Sequence, residues 1–516
     1  MKRDGATTSL WQHQVPDYTS QRQPVSEPEK VYDVIIVGGG ITGVTTALLL
    51  QKSGKSCLLA EAHNLGFGTT GGTTAHLNTM LDTDYHTLIN DFGEENARLV
   101  ANVTREAIEL VKQHTEQYGI DCAFEELPGY IFAQDEQQVK DLAAIFEGSR
   151  QAGIPIAYAN RIPVPIPFQK AVIFNNQAHF HPTRYLLALA RAFEEAGGVL
   201  LQNCRVMDID EGDVIQAATT QGTLRTRQLI YATHTPPGVN LLHFRCAPYR
   251  SYAIAVKLNN EDQYPDALVY DMHEPYHYYR TQEIDGEKYL VAGGEDHKTA
   301  HQENTEICFR NLESYVRGHF DVADVSFRWS SQFFENTDGL PYIGHLPGAS
   351  DNVFVATGYS GNGMTFGTVA AIVLRELLIT GDSRYKDLFA PGRVKPIAGF
   401  TTFLKEQVEV VKDFVGKWFS QTDIDSLAEL AHGEARVVEY EGTSMALYKD
   451  EAGKVHAVNP TCPHAKCAVA WNSSEKSWDC PCHGSRFSFD GEMLTAPART
   501  DLKTIEIREL KEASSK

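Results

Sequence analysis

At 516 residues the chain is too long for one hydrophobic core and implies two to four domains. Its 42% apolar and 22% charged content is that of a soluble globular protein, and a net charge of −21 argues against a nucleic-acid backbone or an anionic membrane surface as partner. No apolar run is long enough to suggest a transmembrane segment, and the first thirty residues lack the apolar core of a secretory signal, so the expected location is cytoplasmic.

Residues 1–30 are polar, with Pro16, Pro24 and Pro28, and read as an N-terminal extension packed along the surface. A βαβ unit follows. Val34-Ile35-Ile36-Val37 is an apolar run expected of a parallel strand buried on both faces. Gly38-Gly39-Gly40-Ile41-Thr42-Gly43 opens a helix that runs to about Ser53, and a second strand, Ser56 to Ala60, ends on Glu61. Gly38 allows the tight turn, Gly40 lets backbone approach a pyrophosphate, and Gly43 lets helix pack close to strand. The first-turn N–H groups would hold phosphates, and Glu61 stands where a carboxylate takes a ribose hydroxyl pair. A lone glycine motif is often only a surface turn. Strand, loop, helix, strand and acid arriving in order point to a bound dinucleotide without choosing between FAD and NAD.

The Gly/Thr-rich segment Gly66 to Thr74, which includes Thr69 and Thr70, is either a flexible linker or a close approach to the cofactor. Apolar spacing predicts helices over 91–117, 135–152 and 182–196, the last with Pro182 where a first turn tolerates it. Residues 198–207 and 229–233 read as strands, and 249–258, 276–281 and 288–293 as antiparallel strands of a substrate domain. Asp338-Gly339-Leu340-Pro341-Tyr342-Ile343-Gly344 precedes a strand over 353–356, the loop from Thr357 to Thr365 and a helix over 367–380. That strand, glycine loop and helix repeat the logic of the first motif.

GGGITG, GTTGGTTA, DGLPYIG and ATGYSGNGMTFG together resemble the FAD-dependent oxidoreductases of the D-amino acid oxidase group, which includes glycine oxidase and the DadA-like enzymes. The resemblance covers residues 31 to about 385. It implies an α/β, Rossmann-like FAD-binding domain with an antiparallel-sheet substrate domain, within an oxidoreductase unit spanning 31–395. FAD binding would draw on 31–80, 185–240 and 335–385, and the substrate domain mainly on 85–180 and 245–330. It implies non-covalent FAD, with the backbone around Val206 on the adenine side and Gly358, Gly361, Gly363, Met364 and Thr365 beside the isoalloxazine. It also places Arg280 where amine-oxidising relatives carry a carboxylate-binding arginine, although a strand arginine is otherwise a surface salt-bridge partner. Tyr252 and Tyr342 could line the substrate pocket, and are equally explained as core aromatics. No general base stands out, and removal of hydride from a neutral amine needs orientation more than a base.

Pro391 and Pro396 mark a boundary, and residues 396–422 read as a connector helix with an apolar stripe from Phe400 to Phe419, packed on the flavin domain or laid on a membrane surface. Strand-like runs follow over 434–440, 443–448 and 454–458. Five of the nine cysteines are scattered singly, whereas Cys462, Cys467, Cys480 and Cys482 crowd together. Cys462-Pro463-His464 and Cys480-Pro481-Cys482-His483 could bind zinc as a ribbon.

CPHAKC, CPCHGS and the downstream Ala496-Pro497-Ala498 loop resemble a Rieske [2Fe–2S] domain of the disulfide-containing kind, here a small all-β domain over 423–512. By that resemblance Cys462 and Cys480 hold one iron, His464 and His483 the other, and Cys467 and Cys482 form a disulfide pinning the loops. Such a bridge is unusual in a reducing cytosol. Ser485 keeps a hydroxyl that can donate to a cluster sulfur, but Phe487 stands where high-potential members carry a tyrosine, which implies a potential below theirs.

The fusion implies a dehydrogenase acting on the C–N bond of a small-molecule amine or amino-acid-like substrate, with electrons leaving through the cluster to an external one-electron carrier. Flow from an external donor through the cluster to the flavin is the alternative. A Rieske oxygenase would need a mononuclear iron site of two histidines and a carboxylate, and no convincing histidine cluster supplies one.

Overall fold

The strand Val31–Val37 lies inside an eight-stranded sheet, between Gly222–Tyr231 and Cys57–Ala60 and parallel to both. Alternation along it feeds two cores: Val34 and Ile36 enter the core shared with the helices, while Ile35 and Val37 join the opposite one. Val199–Leu201 extends the parallel order on one side and Val353–Thr357 on the other, with Tyr342–His345 antiparallel at the edge. The computed structural model describes residues 1–13, 15–20, 30–393, 422–423, 429–440 and 443–506. The expected connector helix from Phe400 to Phe419 lies outside the described residues.

The helix Ile41–Lys52 packs against Gly363–Thr380, and their approach is close at Gly367, where a Cβ would sit 2.8 Å from Thr42 Oγ1. Gly363–Thr380 begins four residues earlier than its periodicity predicts, because its first turn is the cofactor loop itself. It is also long and apolar enough to cross a membrane, contrary to the expectation that no segment is. Its apolar residues fill the core, and 67% of it is buried, as in a helix central to a folded body. The predicted 91–117 helix is two, Tyr85–Phe92 and Glu94–Gln117, parted by Gly93 at φ 84.

A nine-stranded, mainly antiparallel sheet stands beside the first. Its central strands are Cys246–Leu258, Glu287–Lys298 and Tyr278–Ile284, and Val322–Asn336, absent from the sequence reading, forms one edge. The C-terminal region is β-rich as expected, with two four-stranded sheets.

The N-terminal extension does not lie on the surface as predicted. Leu10 and Trp11 are buried with Ala253, Ala255, Val291 and Trp329, and the Trp11 indole donates to the Thr73 carbonyl. Arg3 and Asp4 are buried in a cluster that joins three parts of the chain. Arg3 lies 3.4 Å from Glu475 and Arg250 3.8 Å from the same carboxylate; Arg486 contacts Asp479 at 3.1 Å and Asp4 at 2.8 Å. Three guanidinium groups face three carboxylates, so the buried charge balances.

Candidate active site and metal centre

A cavity of about 290 Å³ runs along the C-terminal edge of the parallel strands, and its walls join both glycine loops. At one end lie Gly38, Gly40, Ile41, Thr42, Glu61 and Val206, with Thr69 and Thr70 above them. Gly38 sits at φ 114, and a Cβ there would stand 2.4 Å from the Ala232 carbonyl oxygen, so no other residue suits the turn. Gly40 caps the helix without a side-chain hydrogen bond, and the Thr70 hydroxyl accepts the Ile41 N–H at 3.1 Å. This leaves a helix N-terminus with no acidic residue in its first turn, suited to phosphate. The Gly/Thr segment is thus no linker: Thr69–Gly72 is a short helix in the cavity wall.

Glu61 accepts from the Gly39 N–H at 2.6 Å and from the His63 N–H at 2.8 Å. Burial raises its carboxyl above the usual range, against these bonds. Gly43 lies outside the wall, packed so tightly that a Cβ would fall 1.9 Å from the Gly38 oxygen.

Gly361, Gly363 and Met364 line the middle of the cavity. Gly358 and Thr365 support them from behind. The Gly358 carbonyl accepts from Asn336 Nδ2 at 2.7 Å, and the Thr365 hydroxyl accepts the Asn78 N–H and donates to its carbonyl. Beyond this loop the wall holds Ser251, Tyr252, Tyr270, Tyr276, Tyr278 and two carboxylates, Asp82 and Asp296. Burial lifts Asp296 to about 7 and Asp82 to about 6. Asp82 is exposed and lines the cavity.

Of the three residues expected at the substrate, Tyr252 lines this cavity and Arg280 and Tyr342 do not. Arg280 shares a strand face with Tyr278 but does not line the cavity; the Trp11 ring lies 4.9 Å from its guanidinium and its Nη2 donates to the Phe180 carbonyl at 3.3 Å. Tyr342 packs away from the cavity under Arg393, 4.2 Å from its ring centroid, in the core beneath the parallel sheet. Asp82, Asp296, Tyr270 and Tyr276 were missed. Alternation of Tyr276 and Tyr278 with Arg280 is a period-two signal. Asp82 and Asp296 carry no local one.

In the C-terminal region Cys462 and Cys480 are buried free thiols, and Cys467 is bonded to Cys482 with Cα atoms 6.5 Å apart. Sulfurs of Cys467, Cys480 and Cys482 also lie together, but two of the three are spent in the disulfide. The His464 and His483 rings are 4.9 Å apart and perpendicular. Among the described residues Nδ1 of His464 and both nitrogens of His483 are buried with no hydrogen-bond partner. Orphaned imidazole nitrogens beside a paired thiol set are what an iron pair would satisfy. The hydrogen bond between Cys480 and Cys462 lowers the Cys462 thiol, aided by the Ser485 hydroxyl and opposed by burial.

The two sites adjoin. His464 Nε2 donates to the Gly238 carbonyl at 3.2 Å, Gln332 Nε2 to the Gly484 carbonyl at 2.8 Å, and the Gly238 N–H to the Pro497 carbonyl at 2.8 Å. Met493 to Ala496 form part of the cavity wall.

The FAD dependent oxidoreductase family (DAO) matches residues 33–377, and the Rieske [2Fe-2S] domain residues 420–506. Over 487 residues, 94% of this chain and 95% of the relative, the sequence is 32% identical to a Bacillus subtilis (strain 168) protein named as a Rieske 2Fe-2S iron-sulfur protein, YhfW. It is 25% identical to gamma-glutamylputrescine oxidoreductase of Escherichia coli (strain K12), over 69% of this chain and 86% of that one. The fold is similar to glycine oxidase from Geobacillus kaustophilus, with a TM-score of 0.58 at 18% identity, covering 70% of this chain and 99% of that one. The chain belongs to the DAO family of FAD dependent oxidoreductases, carries a Rieske domain at its C-terminal end, and binds FAD and a [2Fe–2S] cluster.

Proposed function

We propose that the protein is an amine dehydrogenase that exports electrons through its Rieske domain to an external carrier. Bound FAD supplies a two-electron acceptor for hydride from the C–N carbon, and the cluster a one-electron exit. The observation that carries this reading is the shared wall: Met493 to Ala496 of the Rieske domain line the same cavity as Gly38 and Gly361.

The chain's own residues supply binding, orientation and exclusion of water. Glu61 and the uncapped helix N-terminus at Gly40 would hold the ribose and phosphates, Thr69 and Thr70 flank them, and Val206 contributes backbone at the adenine side. Cys462, His464, Cys480 and His483 would hold the cluster. Tyr270, Tyr276 and Tyr278 wall the substrate end and keep it dry. The relative named for gamma-glutamylputrescine oxidation supports an amine as the group oxidised.

Anaerobic mixing of the loaded enzyme with amines in a stopped-flow instrument tests the direction. We expect the flavin band to bleach first and the cluster band to follow. Flavin left oxidised by amines and amino acids alike, but reduced after the cluster when a one-electron donor is added, would overturn the proposal in favour of a reductase.

A further inference from the structure

The substrate end of the cavity holds acids and aromatic rings but no lysine or arginine among its described lining residues. The arginines that do line the cavity serve its other end: Arg205 donates to the Met493 carbonyl at 2.9 Å and Arg499 to Asp208 at 2.6 Å. Arg280, the natural candidate for a substrate carboxylate, does not line the cavity: it stacks on Trp11 at 4.9 Å and lies behind the wall formed by His76 and Tyr270, on which its charge acts. His76 lines this end, but burial keeps it far below its ordinary value and hence neutral.

Asp82 and Tyr276 converge on the Gly361 turn. A Cβ built on Gly361 would lie 2.8 Å from Asp82 Oδ2 and 3.1 Å from the Tyr276 hydroxyl, and the Gly361 N–H donates to the same carboxylate. Asp296 also lines the cavity, and its Oδ1 is buried without a hydrogen-bond partner among the described residues. Tyr278 stands between, its ring centroid 5.7 Å from Tyr276 and 6.2 Å from Tyr270. The charged neighbours leave the two acids without an ion-pair partner among the described residues. Glu274 adds to the field at Asp296, His277 is already held by Asp271 at 2.8 Å and Glu295 at 3.5 Å, and Arg280 acts on His76 and Tyr270 from behind the wall.

We infer that this end receives a cationic alkylamine or diamine with no carboxylate beside the reacting carbon, its ammonium held between Asp82 and Asp296 within the faces of Tyr270, Tyr276 and Tyr278. The inference rests on the proposed amine oxidation and narrows it. Burial disfavours ionisation of both carboxylates, and the Asp82 charge adds to this at Asp296. A bound ammonium relieves both effects, and tyrosine faces add cation–π attraction. The carboxylate of an α-amino acid would instead bring a third like charge to a wall that presents no lysine or arginine among its described lining residues.

The test is equilibrium binding to the oxidised, FAD-loaded enzyme, read as perturbation of the flavin absorption band. Tetramethylammonium chloride and sodium acetate, both unreactive, are titrated at constant ionic strength. We expect tetramethylammonium to bind saturably and at least tenfold more tightly than acetate, with Asp82→Asn and Asp296→Asn each weakening it about tenfold. Acetate binding as tightly as the cation, or no saturable response to the cation, overturns the inference on the unaltered protein alone. Variants that retain flavin and bind the cation unchanged also overturn it. Because no turnover is read, a protein that binds the cation but whose flavin no amine reduces sinks the proposed oxidation and leaves the cation site standing.

Discussion

Nε2 of His464 donates to the Gly238 carbonyl at 3.2 Å, which fastens a histidine of the iron–sulfur loops to the flavin domain. His243 completes the contact, its ring 4.9 Å from His464 and 5.9 Å from His483. His243 is itself tied down, donating from Nε2 to the Pro236 carbonyl at 2.9 Å. The histidine edge of the cluster site therefore faces the cavity-bearing body, with His483 only 5% exposed.

The ionic cluster beneath this contact should set how firmly the domains are joined. Removing Glu475 leaves three buried guanidinium groups facing two carboxylates, Asp4 and Asp479, and an uncompensated buried charge of this kind costs about 3–5 kcal/mol. Glu475→Ala is expected to lower the urea midpoint, followed by flavin release, and to slow electron transfer from flavin to cluster in stopped-flow traces. An unchanged midpoint would show that the cluster contributes nothing to docking.

The Cys467–Cys482 bond closes a loop with a sequence separation of 15, a length for which chain entropy alone gives about 3 kcal/mol. The double variant Cys467→Ser/Cys482→Ser is expected to lose most of its [2Fe–2S] absorbance and paramagnetic signal while keeping FAD. Iron and acid-labile sulfide at the level of the parent protein would refute that role.

His277 supplies a pH dependence of stability. Burial works to lower it, but hydrogen bonds to Asp271 and Glu295 outweigh this and raise it to about 9 from an ordinary 6.5. A histidine whose folded value is raised stabilises fully below its unfolded value and loses that contribution as pH climbs through the folded one. The expected loss between about pH 6.5 and 9 is roughly 3 kcal/mol. His277→Gln should be less stable at pH 6 and show a flatter profile up to pH 9.5. A parent protein as stable at pH 9.5 as at pH 6 contradicts the assignment.

Phe487 is fully buried in the strand Arg486–Ser488, opposite Trp478. Ser485 Oγ accepts the Ala498 N–H at 3.0 Å, which leaves its own proton for the cluster side. With that one hydroxyl and no tyrosine, the midpoint potential should lie below that of tyrosine-bearing Rieske proteins. Phe487→Tyr should raise it by about 60 mV, one charge-assisted hydrogen bond of ~1.4 kcal/mol for a one-electron couple. Redox titration followed by electron paramagnetic resonance gives the answer, and a fall or no change counts against it.

What could be read in advance follows from how local the cause is. The turn at Gly38, the tight packing at Gly43 and the paired CPH and CPCH loops are dictated by short-range geometry, and each left a pattern within a few residues. Arg280 is expected at the substrate by resemblance alone, and its stacking on Trp11, 269 positions away by subtraction of their numbers, is a long-range contact that no local pattern announces. Asp82 and Asp296 come to line one cavity only through the fold, Asp82 held by the Gly361 N–H, so nothing beside either residue in sequence announces them. The N-terminal extension looked like a surface strand of polar chain because Arg3 and Asp4 find their counter-charges in Glu475 and Arg486.

That last feature bears on biosynthesis. Arg3 leaves the ribosome 472 residues ahead of Glu475, which at typical translation rates is a wait of roughly 25 to 95 s. Until then Arg3 and Asp4 lack the acid and the base that neutralise them inside the finished protein, and Trp11 must settle over Arg280 without that anchor. A segment made early is thus among the last secured, and a ribosome stalled before residue 475 would hold a flavin domain over which residues 3–11 cannot yet close.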